Sequence, residues 1–199
     1  SAFPLAFLTA WHMVVTHVAL KPGEDVLVLA GGSGVGQAAI QIARLRGARV
    51  IATAGTDEKL AKARDLGADV AINHHSDDLQ KRIRALTDGR GVDVVVEHVG
   101  QATWDRSVRC LARAGRLVTC GATTGPQASV DLRFLFGRQL WLLGSYMGTK
   151  GELLEAAPFF AAGRLAPVVD CVYPLRDAAE AQRFLETARQ FGKIVLTIE

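Results

Sequence analysis

Cysteine is sparse in this sequence: Cys110, Cys120 and Cys171 are odd in number and far apart. That excludes a disulfide ladder and a CxxC metal knuckle, and it points to a reducing, cytoplasmic setting. Histidine is scarce too. His12 and His17 are five apart, His74 and His75 are adjacent and His98 stands alone, so none shows metal-ligand spacing and no zinc site is expected wholly within the chain. Charge of one sign is also missing. With 23 basic and 20 acidic residues the formal net charge is +3, and no Lys/Arg run or aromatic-basic stripe appears, which removes the electrostatic footprint of a nucleic-acid binder. Only Pro4 to Leu20 approaches the length of a membrane span, and Thr9, His12, Thr16 and His17 interrupt it. Leu5, Leu8, Trp11, Val15 and Val18 recur there at helical spacing, so a packed helix is expected and no membrane partner. The same stretch lacks the basic n-region and cleavage site of a secretory signal. The chain opens on Ser1 without a Met and is expected to continue upstream.

What is present is an apolar share of 49% against 22% charged, enough for a sizeable core, arranged in a regular alternation from Asp25 onward. Short β-branched runs at Val26–Ala30, Val50–Ala54, Val70–Asn73, Val92–Glu97, Arg116–Gly121 and Leu140–Ser145 read as buried strands. Helical patterns lie between or after them at Gly34–Arg46, after the cap Thr56 up to Gly67, and at about Asp78–Leu86, Thr103–Ala112 and Gly151–Ala162. The stretch 125–137 carries no clear element. Strands alternating with helices imply parallel pairing through right-handed crossovers, which is an α/β doubly wound sheet with helices on both faces. After Pro167 the rhythm changes to a strand (Val168–Tyr173), a helix (Asp177–Arg189) and a last strand (Lys193–Ile198). That tail either completes the sheet or returns to a second domain.

The informative stretch is Ala30-Gly31-Gly32-Ser33-Gly34-Val35-Gly36, set between the first strand and its helix. A pyrophosphate held at a helix N-terminus needs a tight turn, free N–H groups and no Cβ in the way, and the helix dipole adds to the attraction. Gly36 lets the helix lie close to the strand. A glycine-rich hexapeptide alone is weak evidence, but a strand before, a helix after and a second strand downstream make it specific. Ser33 occupies the place of the middle glycine. Walker A fails for want of Gly-Lys-Ser/Thr, and a nucleophile elbow fails because Val35 stands where Gly is needed.

The end of the second strand selects between nicotinamide cofactors. An NAD site places a carboxylate there for the ribose 2′-hydroxyl, and this chain has Ala54 followed by Gly55 and Thr56. Lys59, one turn into the next helix, is placed to pair with a 2′-phosphate, so NADP(H) is preferred and NAD(H) remains the alternative, with Asp57 as the group that reaches the ribose.

With these residues placed, the sequence resembles the medium-chain dehydrogenase/reductase superfamily, in its zinc-type alcohol dehydrogenase and quinone oxidoreductase branches. The resemblance rests on Pro4-Leu5 with Thr9-Ala10-Trp11, on Lys21 to Val28, on the turn Ala30–Gly36 and on Ala52 to Lys59. Leu66 to Asp69, Gly91 to Val95, Gly115-Arg116-Leu117 and Gly192 to Leu196 extend it over nearly the whole chain. It implies a Rossmann domain over 25–166, a connecting helix over 1–24, and a segment over 167–199 belonging to a GroES-like catalytic domain. It further implies that Thr9 and Val35 pack on the nicotinamide, that Cys120 with Gly121, Ser145 and Met147 meet its carboxamide side, that Lys193 approaches the pyrophosphate, and that Lys59 and His74 contact the 2′-phosphate. Zinc-dependent members carry a cysteine about four residues before the Thr-Ala-Trp region, where this chain has Leu5. The resemblance also implies a homodimer through the strand at 139–145, and Leu140-Trp141-Leu142-Leu143 would be a hazardous bare edge.

The expected activity is that of a parent enzyme, hydride transfer between NADPH and a small quinone, enone, other carbonyl or alcohol with the cofactor carrying the chemistry. This chain is expected to be its cofactor-binding part and inactive in isolation. No catalytic residue is assigned. Two alternatives stand: a cofactor-binding module without catalysis, and the enoyl-reductase module of a multidomain synthase. A third rests on Tyr146 and Lys150, which match the Tyr-x-x-x-Lys of short-chain dehydrogenases if both lie on one helical face.

Overall fold

A computed structural model describes residues 2–198. Six strands form a parallel sheet: β1 (Asp25–Val28), β2 (Arg49–Ala54), β3 (Val70–Asn73), β4 (Val92–Glu97), β5 (Leu111–Thr119) and β6 (Trp141–Gly144). Their spatial order is β3-β2-β1-β4-β5-β6, so the chain winds outward from β1 in one direction, then returns and winds in the other. The switch lies between β1 and β4. The helices are α1 (Pro4–Trp11), α2 (Gly34–Leu45), α3 (Asp57–Asp65), α4 (Leu79–Leu86), α5 (Trp104–Arg109), α6 (Leu132–Arg138) and α7 (Lys150–Ala161). This is the doubly wound arrangement that the alternating pattern predicts.

Period-2 alternation divides each buried strand between two cores. Val26, Val28, Val50, Ala52, Val94 and Val96 face one core, completed by Phe7, Trp11, Val14, Ile40, Ile42 and Ala156 from α1, α2, α7 and the turn after α1. Leu27, Leu29, Ile51, Val95 and Leu117 face the other, completed by Leu79, Ile83 and Val108 from α4 and α5, with Phe134 and Leu135 of α6 packed against it. Helix starts are fixed by side chains: Ser33, Thr56, Asp78 and Thr149 each accept a hydrogen bond from the first turn of the helix that follows. At Thr149 the bond is reciprocated by Glu152, forming a capping box.

Several boundaries differ from the sequence reading. β1 stops at Val28, because the chain turns at Ala30, whose φ is 45°. The helix expected over Thr103–Ala112 ends at Arg109, and β5 begins at Leu111, with a register shift against β4 and a left-handed Ala114 (φ 58°). Helical pairing and β pairing compete for the same apolar residues there, and the sheet takes Leu111 and Ala112. The stretch without a clear element contains α6, capped by Asp131 and ended by Gln139 in the left-handed conformation. The expected helix after Pro4 is real, but from His12 to His17 it widens into a π-helical turn, with Val18 N–H bonding Met13 O at 3.1 Å.

The tail does not complete the main sheet. β7 (Val169–Pro174) and β8 (Lys193–Thr197) pair with each other in parallel as a separate two-stranded sheet, with a 3₁₀ turn and α8 (Ala178–Glu186) between them. It returns to the glycine-rich turn all the same. Gly192 N–H donates to Gly32 O at 2.7 Å, and Phe191, buried, closes over Gly32.

The tightest approach in the sheet-to-helix packing is at Gly36. A Cβ there would sit 2.3 Å from Ala30 O and 2.9 Å from Gly31 Cα, both backbone atoms. Gly36→Ala is therefore expected to push α2 off β1 and cost about 1–3 kcal/mol, the usual range for overpacking; a urea midpoint equal to that of the parent chain would refute this.

Candidate functional site

The carboxyl ends of β1, β2 and β3 open into a cleft of about 720 Å³. Its floor is the glycine-rich turn, where the chain leaves β1. Ala30 N–H donates to Thr53 Oγ1, Gly31 N–H to Thr53 O at 2.7 Å, and Ser33 N–H to Ala30 O at 2.9 Å, so the turn is pinned to β2. Ser33 then caps α2. Its Oγ accepts from Gly36 N–H at 2.9 Å, and its carbonyl accepts from Gln37 N–H. Those bonds leave the amides of Gly34 and Val35 as the first-turn donors that can face an anion at the positive end of the helix.

His98, at the end of β4, braces this turn. Its Nε2 lies 3.0 Å from Leu29 O and 3.3 Å from Ser33 Oγ. A carbonyl only accepts, so Nε2 carries the hydrogen. Burial holds the imidazole below its ordinary 6.5 despite the neighbouring Glu97 charge. Glu97 is itself fully buried and ties down the following loop, accepting from Val99 N–H, Gly100 N–H and, at 2.6 Å, Thr103 Oγ1. Sequence reasoning missed both residues, because a lone histidine and a strand-end glutamate carry no spacing signal.

One wall of the cleft comes from Ala54, Gly55, Thr56, Glu58 and Lys59 at the β2–α3 junction and from His74 and His75 after β3. The opposite wall is Thr187 to Gln190, just before β8. Lys59 Nζ crosses the gap and donates to Ala188 O at 2.5 Å, and partial burial lowers its pKa. His74 is also lowered, first by burial and then by the charges of His75, Arg106 and Lys59. Glu58 is turned to Lys62, 2.7 Å away, which holds its carboxyl below the usual range. Arg189 on the far wall was not foreseen, since nothing local marks it and only the fold brings it to β2.

Of the residues singled out in the sequence, Gly32, Ser33, Ala54, Gly55, Thr56, Lys59 and His74 border the cleft together, and Gly31, Gly34, Val35 and Gly36 continue the turn beneath it. Lys193 lies against the start of α2, its Nζ 3.7 Å from where a Cβ on Gly34 would be. The others are outside the cleft, beyond β5 and β6 or on α1. Cys120 and Gly121 follow β5. Ser145, whose N–H donates to Thr119 O, keeps its own Oγ buried without a partner among the described residues, and Met147 is left-handed (φ 59°). Thr9 is buried, and its hydroxyl donates to Leu5 O at 2.8 Å. Burial pushes the Cys120 thiol up to about 11 and that of Cys110 to about 12. Tyr146 and Lys150 share no helical face: Tyr146 is 89% exposed in a loop and Lys150 begins α7, so the short-chain arrangement fails. Among the described residues no three or more His, Cys, Asp or Glu side chains converge as for a metal ion, and no helix is long and apolar enough to cross a membrane.

A family model described as zinc-binding dehydrogenase matches residues 34–162. Quinone oxidoreductase 1 of Escherichia coli (strain K12) is 35% identical over 202 residues, which is 95% of this chain and 61% of that protein. A crystal structure of an NAD-dependent alcohol dehydrogenase superimposes with a TM-score of 0.95 at 48% identity, over all of this chain and 58% of that one. A 2-octenoyl-CoA carboxylase reductase solved with NADP and 2-octenoyl-CoA superimposes with a TM-score of 0.88 at 33% identity, over 97% of this chain and 48% of that one. The chain thus spans about three-fifths of the length of the first two.

The lowered His98 and His74 make stability pH-dependent. Between their depressed folded-state values and the ordinary 6.5, the unfolded chain binds more protons than the folded one. Their contribution is complete above 6.5 and is lost as pH falls through the folded-state values. The urea midpoint is expected to drop between pH 7.5 and pH 5 and to drop less in His98→Asn; equal slopes for the two proteins would count against it.

Proposed function

The chain belongs to the zinc-binding dehydrogenase family, within the medium-chain dehydrogenase/reductase superfamily, and from that premise we propose that it is the nucleotide-binding part of an NADP(H)-dependent oxidoreductase. The carrying observation is the make-up of the cleft. Ala54 stands at the end of β2, where a ribose-binding carboxylate would repel a 2′-phosphate, while Lys59, His74 and Arg189 border the same space. The relative solved with NADP supports the reading. In it, the pyrophosphate lies on the amides of Gly34 and Val35 with Lys193 alongside, and Gly31, Gly32, Ser33, Gly36, Gly55 and Thr56 shape the approach. Thr9 and Val35 back the nicotinamide, and Cys120, Gly121, Ser145 and Met147 meet its carboxamide side. The unpartnered Ser145 Oγ is the structural feature that favours a polar ligand group there.

The nicotinamide supplies or accepts the hydride, and the residues of this chain orient it toward a small quinone, enone, other carbonyl or alcohol. Cys120, neutral at physiological pH, packs rather than reacts. Zinc does not fit this chain. Leu5 is a hydrocarbon at the position of the family's cysteine, and among the described residues no three His, Cys, Asp or Glu side chains gather as a ligand set, so no step is routed through the metal. Separate free cysteines suit a reducing, cytoplasmic setting.

A second reading, NAD(H), is favoured by the NAD-dependent relative and by Glu58 at the cleft. The Glu58–Lys62 pair weighs against it. Titration separates them: NADPH is expected to bind this chain more tightly than NADH, and Lys59→Ala to weaken NADPH about tenfold or more while sparing NADH, since one hydrogen bond to a charged group is worth about 1.5–3 kcal/mol. Tighter NADH binding, unchanged by Lys59→Ala, would establish the second reading instead.

The assembly in this proposal is a homodimer through β6. Among the described residues that strand pairs with β5 alone, and Trp141 is 61% exposed beside a half-buried Leu142. Light scattering is expected to give twice the chain mass at micromolar concentration and half of that for Trp141→Lys, whereas a monomeric parent chain defeats the proposal.

A further inference from the structure

Away from the cleft, where the helix of α1 changes pitch, a cluster of side chains is built more fully than packing requires. In an α-helix His12 and His17 would stand about 140° apart around the axis. The π-helical turn brings them together, with Nε2 atoms 2.9 Å apart and rings edge-on at 84°. His12 Nδ1 lies 2.6 Å from Glu152 Oε1. A carboxylate only accepts, so Nδ1 carries the hydrogen, and with His12 Nε2 unprotonated that nitrogen accepts from His17 Nε2–H. A metal ion takes the place of this hydrogen, His17 keeping its ring proton on Nδ1 instead. Glu152 is anchored in turn: Thr16 Oγ1 donates to Oε1, and Thr149 N–H donates to Oε2 at 2.6 Å. An imidazole whose far nitrogen is oriented by a hydrogen-bonded carboxylate is the arrangement that surrounds metal-ligating histidines.

The geometry points to a transition-cation site at His12 Nε2 and His17 Nε2 that takes Cu²⁺ or Ni²⁺, with water in the remaining positions and Glu152 as the outer partner. Two nitrogens about 2.0–2.1 Å from a metal and 2.9 Å apart subtend about 90° at it. A right angle suits neighbouring positions of tetragonal copper or nickel, whereas the tetrahedral preference of zinc would need a separation of about 3.3 Å. His17 is exposed and the His12 side chain is 18% exposed, so an ion reaches the pair without opening the core. Two ligands are fewer than a structural zinc site uses, which makes this an open, exchangeable site. It is independent of the nucleotide reading.

The test is titration of the whole chain with Cu²⁺ by calorimetry, paired with electron paramagnetic resonance. One copper per chain with two equatorial nitrogens is expected. His12→Ala and His17→Ala should each weaken it at least tenfold, and Glu152→Gln should weaken it about tenfold while keeping the two-nitrogen signature, as loss of an outer partner typically does. His17 is exposed, so its variant keeps the fold, which a melt without copper verifies. The other adjacent pair, His74 and His75, supplies the control. If copper binds His17→Ala as tightly as the parent, or is lost from His74→Ala instead, the site is refuted.

Discussion

Everything at the functional end of this molecule depends on how closely one helix can approach one strand. α2 starts with Gly36 against the carbonyl of Ala30, a distance that leaves no room for a side chain. That approach puts the positive end of a twelve-residue helix over the end of β1, in the gap where the sheet reverses its winding. The bonds that hold the turn come from three places. Thr53 clamps it from β2, Ser33 caps the helix, and His98 braces both from β4. The amides left over are the ones an anion would meet. A local requirement for small residues thus becomes a charge-selective opening.

The second constraint is the return of the chain. β7 and β8 form a small sheet of their own, yet the segment between α8 and β8 lies across the glycine turn, through the Gly192–Gly32 hydrogen bond and the Phe191 ring. The cleft therefore has one wall from residues 54–75 and one from residues 187–190, far apart in sequence. Neither wall is a pocket alone.

The fold was legible because each strand of the sheet is short, apolar and bounded by turn residues, and each helix that follows carries a cap. Where the reading slipped, two physical preferences competed for the same residues. Leu111 and Ala112 satisfy a helical period, but Leu111 pairs with Val92 of β4 and both side chains are buried in the sheet. The π turn at His12–His17 and α6 left no periodic signature strong enough to see. Around the cleft, the placement of Gly31 to Gly36, Ala54 and Lys59 was legible because it follows from neighbours in sequence. Arg189, Gln190, Glu97 and His98 were not, because their roles arise from partners brought near by topology: His98 meets Leu29 and Ser33, and Arg189 faces α3.

The bond from Lys59 to Ala188 carries a consequence for affinity. A free lysine side chain gives up about 1.5–2 kcal/mol of rotational freedom when it is fixed on a ligand. Here folding has already fixed it, by spanning the gap to a carbonyl on the opposite wall. An ammonium has three donors, and the bond to Ala188 uses one of them. The cation is pre-aimed: a negative group entering the cleft meets a lysine whose rotational freedom a bond to the opposite wall has already reduced.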